Sequence, residues 1–146
     1  MKGYLLDVNL LIALAWPHHA QHALAHAWFE HHHAAGWGTC MVTQLGFVRL
    51  SSHPALEYHV STQAALQKLR EIAGLPTHTF WGEPAEGYLN EKFAHTLPNT
   101  LTHGLVTDGY LATVAACNGG KLATLDRQCA RTFPKHAVLV EAAGQS

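Results

Sequence analysis

Short apolar runs alternate with longer stretches of helical periodicity along the chain. Gly3 to Leu6 is an apolar run ending at Asp7, the pattern of a strand buried on both faces. Val8 to Trp16 predicts a short helix, halted before Pro17 because the proline ring crowds a preceding helical residue. His18 to Ala34 predicts a longer helix, with Ala23 and Ala27, and Leu24 and Trp28, as i, i+4 pairs. Gly36-Trp37-Gly38 breaks it, and Thr39 to Val42 predicts a second buried strand. Thr43 reads as a helix cap, followed by an apolar face of Leu45, Phe47, Val48 and Leu50 before Pro54. Ser61 caps a further helix, with Ala64, Ala65, Leu66, Leu69 and Ile72 inside and Gln67, Lys68, Arg70 and Glu71 outside.

Thr77 to Trp81 predicts a third strand, whereas residues 82–103 are polar, rich in turn formers and carry no assignable pattern. Thr107 to Asn118 predicts a helix with Tyr110, Leu111, Val114 and Ala115 at helical spacing, ended by Gly119-Gly120. Lys121 to Leu125 predicts a strand, Arg127 to Phe133 a short helix and Ala137 to Val140 a last strand. Such alternation implies an α/β fold around a mostly parallel central sheet. At 146 residues the chain has the length of a single domain, 1–146, against roughly 150 residues per domain.

Composition narrows the function classes. Hydrophobic residues make up 48% and charged residues 13%, with a formal net charge of −1, which excludes a disordered tail. The same balance excludes holding nucleic acid by bulk charge, so any RNA or DNA contact has to be local. Cys40, Cys117 and Cys129 are odd in number and lack C-x-x-C spacing, which fits reduced, mostly buried thiols and neither a disulfide framework nor a zinc knuckle. Lys2 and the apolar run after it imitate a signal peptide, but Asp7 and Asn9 interrupt the run. An aspartate at a membrane-spanning centre costs on the order of 2.5–3.5 kcal/mol. The expectation is a soluble, cytoplasmic protein with no membrane partner.

The chain has only three aspartates, and none lies in the middle of an element. Asp7 and Asp126 each follow a predicted strand, and Asp108 opens the helix that begins Thr107-Asp108-Gly109. In open α/β sheets ligands bind at the carboxyl ends of strands. Each aspartate alone also fits a helix N-cap. Three carboxylates converging there would repel one another unless a cation sat between them, and hard oxygen ligands point to Mg²⁺ or Mn²⁺.

The segments Tyr4-Leu5-Leu6-Asp7-Val8-Asn9-Leu10-Leu11-Ile12, Thr43-Gln44-Leu45-Gly46-Phe47-Val48-Arg49, Val106-Thr107-Asp108-Gly109-Tyr110-Leu111-Ala112 and Leu122-Ala123-Thr124-Leu125-Asp126-Arg127 occur in order. Together, from residue 4 to about residue 140, they resemble a PIN-domain ribonuclease of the VapC toxin type. The resemblance implies a PIN-like α/β/α sandwich that hydrolyses RNA with Mg²⁺ or Mn²⁺, a homodimer, and a cognate VapB-like antitoxin that covers the site. It implies Asp7 and Asp108 as the principal metal ligands, Asp126 as a further acid, and Asn9 and Thr107 as polar neighbours. The family's second acid lies on the helix after the second strand, where this chain has Gln44, which removes one negative charge. Arg49 and Arg127 follow motif segments and are the candidate cations for RNA, with surface solubility as their other reading.

His18, His22 and His26 share i, i+4 spacing, and His31-His32-His33 close the same predicted helix. No acidic partner accompanies them as in an H-E-x-x-H site, so they read as a solvated helix face. Trp28, Trp37, Phe47 and Phe80 read as core, and Trp81 and Tyr110 as packing residues close enough to site segments to stack a base. Besides a toxin-type endoribonuclease, a PIN-like module that binds RNA or an antitoxin with weak or no turnover stays open because of Gln44. A haloacid-dehalogenase-like phosphatase would need a second aspartate where this chain has Asn9, and a receiver domain would need adjacent acids that are absent.

Overall fold

A computed structural model describes residues 2–142. Five strands form one all-parallel sheet: β1 (Tyr4–Leu6), β2 (Trp37–Thr39), β3 (His78–Phe80), β4 (Lys121–Thr124) and β5 (Ala137–Leu139). Their order is β3-β2-β1-β4-β5. The first three strands step outward in one direction and the last two in the other, so the winding reverses between β1 and β4. The α-helices among the described residues are α1 (Val8–Ala15), α2 (His22–His32), α3 (Met41–Ser51), α4 (Thr62–Ala73), α5 (Lys92–Thr96), α6 (Val106–Cys117) and α7 (Arg127–Thr132).

Alternate sheet residues enter two cores, as the two-residue period of a strand requires. Leu6 and Ala123 pack with Leu10, Leu11, Phe29, Phe47 and Leu69 from α1 to α4. Leu5 and Leu122 pack with Leu111, Val114 and Ala115 of α6 and Cys129 of α7. The expected α/β/α sandwich is therefore what the chain forms. Among the described residues no helix is long and apolar enough to cross a membrane.

Several local boundaries differ from the sequence reading. Helix α2 occupies only the middle of the predicted span, because residues before His22 form turns in which the His19 ring nitrogen accepts from the Gln21 N–H at 3.0 Å. Strand β2 begins at Trp37, so the glycine pair around it is not a simple breaker. Gly38 has no Cβ because the Trp81 ring lies where one would be, 2.0 Å away. With β2 ending at Thr39, Cys40 caps α3, and Thr43 falls in the first turn. The Thr43 hydroxyl still completes the cap by accepting from the Cys40 N–H at 2.9 Å.

Leu45 and Leu50 are exposed, whereas Phe47 is fully buried. Positions two apart on a helix point to nearly opposite sides, so Leu45 and Phe47 cannot share a face. Ala64 and Leu66 of α4 are likewise exposed, leaving Ala65 and Leu69 as its buried positions. Phe80 ends the edge strand β3 and is 56% exposed, so it is not core. Ser61 does cap α4, accepting from the Ala64 N–H at 3.0 Å. Residues 82–103 hold one turn of 3-10 helix at Gly87–Leu89 and the short α5.

Candidate active site

The reversal of winding between β1 and β4 opens a crevice at their carboxyl ends, the place where open α/β sheets bind ligands. Asp7 ends β1 and caps α1, its Oδ1 accepting from the Val8 N–H at 2.8 Å. Its other oxygen, Oδ2, accepts from the Thr124 hydroxyl at 2.7 Å, across the β1–β4 pairing. The same Thr124 oxygen accepts from the Asn9 amide at 3.2 Å and from the Asp126 N–H at 3.1 Å. Asn9 Oδ1 in turn accepts from the Leu125 N–H at 3.2 Å. One hydroxyl thus ties Asp7, Asn9 and the turn leading into Asp126 together.

Asp126 caps α7, its Oδ1 accepting from the N–H groups of Gln128 at 2.8 Å and Cys129 at 3.3 Å. Asp108, in the first turn of α6, reaches the same crevice. A carboxylate oxygen of Asp7, one of Asp108 and the Cys129 sulfur lie within 4.8 Å of one another.

The electrostatics follow from that crowding. Burial raises the Asp7 carboxyl above its ordinary value, and repulsion from Asp126 adds to it, while the Thr124 and Val8 donors oppose the rise. Asp108 is pushed up to about 6, by burial first and then by Asp7 and Asp126, against a hydrogen bond from Cys129. Burial and the three acids raise the Cys129 thiol well beyond its usual range, so it stays protonated at neutral pH. Two desolvated carboxylates that resist ionising together fit a divalent cation, which would cancel their mutual repulsion. Oxygen donors beside a protonated thiol suit a hard cation.

The other expected site residues sit as follows. Gln44, half-buried on α3, donates to the Thr39 hydroxyl at 3.0 Å, and that hydroxyl also pairs with the His78 ring at 2.8 Å. Thr107 is exposed and lines a pocket with Val42, Tyr88 and Tyr110. Arg49 is exposed on α3, and Arg127 pairs with Glu141 at 3.8 Å in solvent. Two site residues escaped the sequence reading, Thr124 and Cys129. Their signals were a hydroxyl at the end of an apolar strand and a thiol one helical turn past the Asp126 cap. The histidine face does not assemble: His22 bonds the Ala13 carbonyl at 2.8 Å, and His26 pairs with Glu30 at 3.9 Å. Among the described residues the one metal-competent group is Asp7, Asp108 and Cys129.

A five-stranded parallel sandwich with acids at its switch point defines a PIN-type α/β/α protein. No family model matches the chain. It is similar to Ribonuclease VapC39 of Mycobacterium tuberculosis, with 41% identity over 123 residues covering 84% of this chain and 87% of that one. Ribonuclease VapC44 of the same organism is 34% identical over 130 residues, covering 88% and 89%. Among solved structures, VapBC2 from Rickettsia felis, bound to a DNA fragment from their promoter, matches with a TM-score of 0.66 at 12% identity. That match covers 94% of this chain and 98% of the other. FitAB bound to an IR36 DNA fragment gives 0.64 at 20% identity, covering 97% and 98%. The two structures establish the fold, and the sequence relatives establish the family: the chain belongs to the VapC ribonucleases.

Proposed function

We propose that the chain, as a single PIN domain over 1–146, is a Mg²⁺- or Mn²⁺-dependent endoribonuclease and the toxin of a type II toxin–antitoxin pair. The observation that carries this is the convergence of Asp7 and Asp108 at the β1–β4 switch point, under the Thr124 hydroxyl. Kinship with named VapC ribonucleases supports RNA as substrate, and likeness to VapBC2 supports a VapB-like antitoxin. A homodimer is the assembly that membership of this family implies.

Asp7 and Asp108 would hold the cation, with Asp126 contributing negative charge beside them. A divalent ion bound there supplies Lewis-acid polarisation of a phosphoryl oxygen and a water of lowered pKa. The chain's own groups set the conditions for that chemistry. Thr124 donates to Oδ2 and the Val8 N–H to Oδ1, and the two bonds together fix the orientation of the Asp7 carboxylate. Asn9 locks Thr124 and the backbone of Leu125, which fixes where Asp126 enters α7. The protonated Cys129, buried in the core beneath α6, lies against Asp7 and Asp108. Arg49 and Arg127, both exposed, are the cations assigned to the RNA backbone, Arg127 after release from its partner Glu141.

Incubating purified protein with total RNA in Mg²⁺, Mn²⁺ or EDTA, beside Asp108→Ala, tests this reading. Cleavage lost in EDTA and in the variant is the expected result. A folded wild-type chain that cleaves nothing in either metal would refute it. That outcome would favour the module that binds without turnover, for which Gln44 at the family's acidic position is the motivating residue. Gln44→Glu is then the variant to test for restored cleavage.

A further inference from the structure

Beside the acid pair, the first turn of α6 forms the wall of a second feature. Val42, Tyr88, Thr107 and Tyr110 line a pocket of about 210 Å³. Thr107 precedes Asp108 in the first turn of α6, so one wall of the pocket belongs to the same helical turn as an acid of the cluster. Its rings are held in place. The Tyr88 hydroxyl donates to the Val106 carbonyl, which fastens the 82–103 segment onto the start of α6. Phe93, buried behind them, stacks on Tyr110 at 5.2 Å and 8° and tilts against Tyr88 at 4.7 Å. Tyr88 and Tyr110 themselves meet at 5.1 Å and 53°, leaving Tyr88 41% exposed.

The pocket differs in chemistry from the site it adjoins. None of its four lining residues is an acid or a base, and two of the four are aromatic. Its volume is below the roughly 300–1,000 Å³ of clefts that take drug-sized molecules, the scale of one ring system. A phosphodiester drawn to the acid cluster carries such a ring one sugar away. Aromatic side chains are how proteins hold unstacked single-stranded bases.

We propose that this pocket takes one nucleobase of the RNA next to the cleaved bond, with Tyr88 and Tyr110 as its stacking surfaces. The assignment rests on the ribonuclease reading above and names part of its substrate recognition. It makes the enzyme selective for single-stranded RNA in which that base is free to turn out of the helix.

The test uses full-length protein and a short single-stranded RNA that wild type cleaves, with each base near the cut replaced in turn by an abasic nucleotide. One abasic position should lower kcat/KM by about 5- to 150-fold, the range expected for one base on an aromatic platform. Val42→Phe, which fills the pocket from α3, should cause a comparable loss on the intact RNA and show no further loss on the abasic one. Tyr110→Phe keeps the ring and should retain most of the base dependence. Cleavage that is intact while abasic losses are missing, or are the same in Val42→Phe, overturns the pocket and leaves the ribonuclease standing. Val42→Phe that cleaves normally but escapes a neutralising antitoxin also overturns it, making the pocket a protein contact. Absence of cleavage of any RNA by wild type overturns both.

Discussion

At neutral pH Asp108 is ionised in surroundings that oppose it. Its carboxyl titrates near 6 when folded against an ordinary value of 3.8, and burial is the leading cause. At 1.36 kcal/mol per pH unit that interval sets a ceiling of roughly 3 kcal/mol on the folding stability withheld by its charge. Solvent screening of the partly exposed carboxyl reduces this to about 1–2 kcal/mol. Asp108→Asn removes the charge, keeps the shape and keeps an acceptor for Cys129. The variant should therefore make the metal-free chain more stable than wild type by about 1–2 kcal/mol, or about 2–8 °C in Tm at this size.

The pH dependence has a definite sign. A carboxyl whose folded pKa lies above its unfolded one binds its proton more tightly in the folded state. Its contribution to wild-type stability is full below pH 3.8 and is lost as the pH rises through about 6. The gap between variant and wild type should be wide at pH 7.5 and narrow at pH 4.5. The 13 histidines are common to both proteins and cancel in the difference. Added Mg²⁺ should reverse the order, since an ion at a hundred times its Kd stabilises the folded chain by about 2.7 kcal/mol. Thermal melts in EDTA and in Mg²⁺ at the two pH values read all of this. A variant no more stable than wild type in EDTA at pH 7.5, or a gap unchanged at pH 4.5, would refute the reasoning.

Thr124→Val should cost about 2–4 kcal/mol in urea unfolding, because one hydroxyl serves Asp7, Asn9 and the Asp126 N–H, while Thr124→Ser should lose little. The same valine variant removes the donor that opposes the rise of Asp7, so the acid limb of its cleavage profile should move to higher pH. Gly38→Ala places a Cβ 2.0 Å from the Trp81 ring and should destabilise by about 3 kcal/mol or more, seen as low soluble yield and altered tryptophan fluorescence. Gln44→Ala should cost only about 0.5–1.5 kcal/mol, since the Thr39 hydroxyl keeps His78 as a partner; a larger loss in urea unfolding would mean that Gln44 braces more than β2.

Much of the site was legible because Asp7, Asp108 and Asp126 interrupt apolar runs at element ends, where a carboxylate has no packing role. Thr124 was not, since a hydroxyl closing the run Leu122-Ala123-Thr124 is indistinguishable from an ordinary strand residue. Its importance appears only when β4 pairs with β1 and brings it to Asp7, 117 positions away in the chain. Gly38 misled for the same reason, because its missing side chain answers to Trp81, 43 positions later, and not to a local turn. The segment 82–103 gave no pattern because its order comes from outside it, through Tyr88 on Val106 and Phe93 on Tyr110. Leu45 reads as core by composition, yet the helical angle to Phe47 puts it in solvent.

The same topology explains why the acids are tolerated at all. A parallel sheet whose winding reverses at β1 and β4 leaves no crossover covering that crevice, so backbone N–H groups at the starts of α1 and α7 face it. Those groups hold Asp7 and Asp126 as caps, which stabilises each carboxylate locally. Asp108 has no cap contact of this kind, and its support from the protein is the Cys129 thiol. Burial nevertheless holds both Asp7 and Asp108 above their ordinary values, so the strain of the cluster is shared by the pair. A cation shared by Asp7 and Asp108 would relieve that strain more than it would at either cap alone. Binding and folding are in this way linked through Asp108, and the stability that the metal-free chain forgoes there is the measure of how strongly the site is poised for an ion.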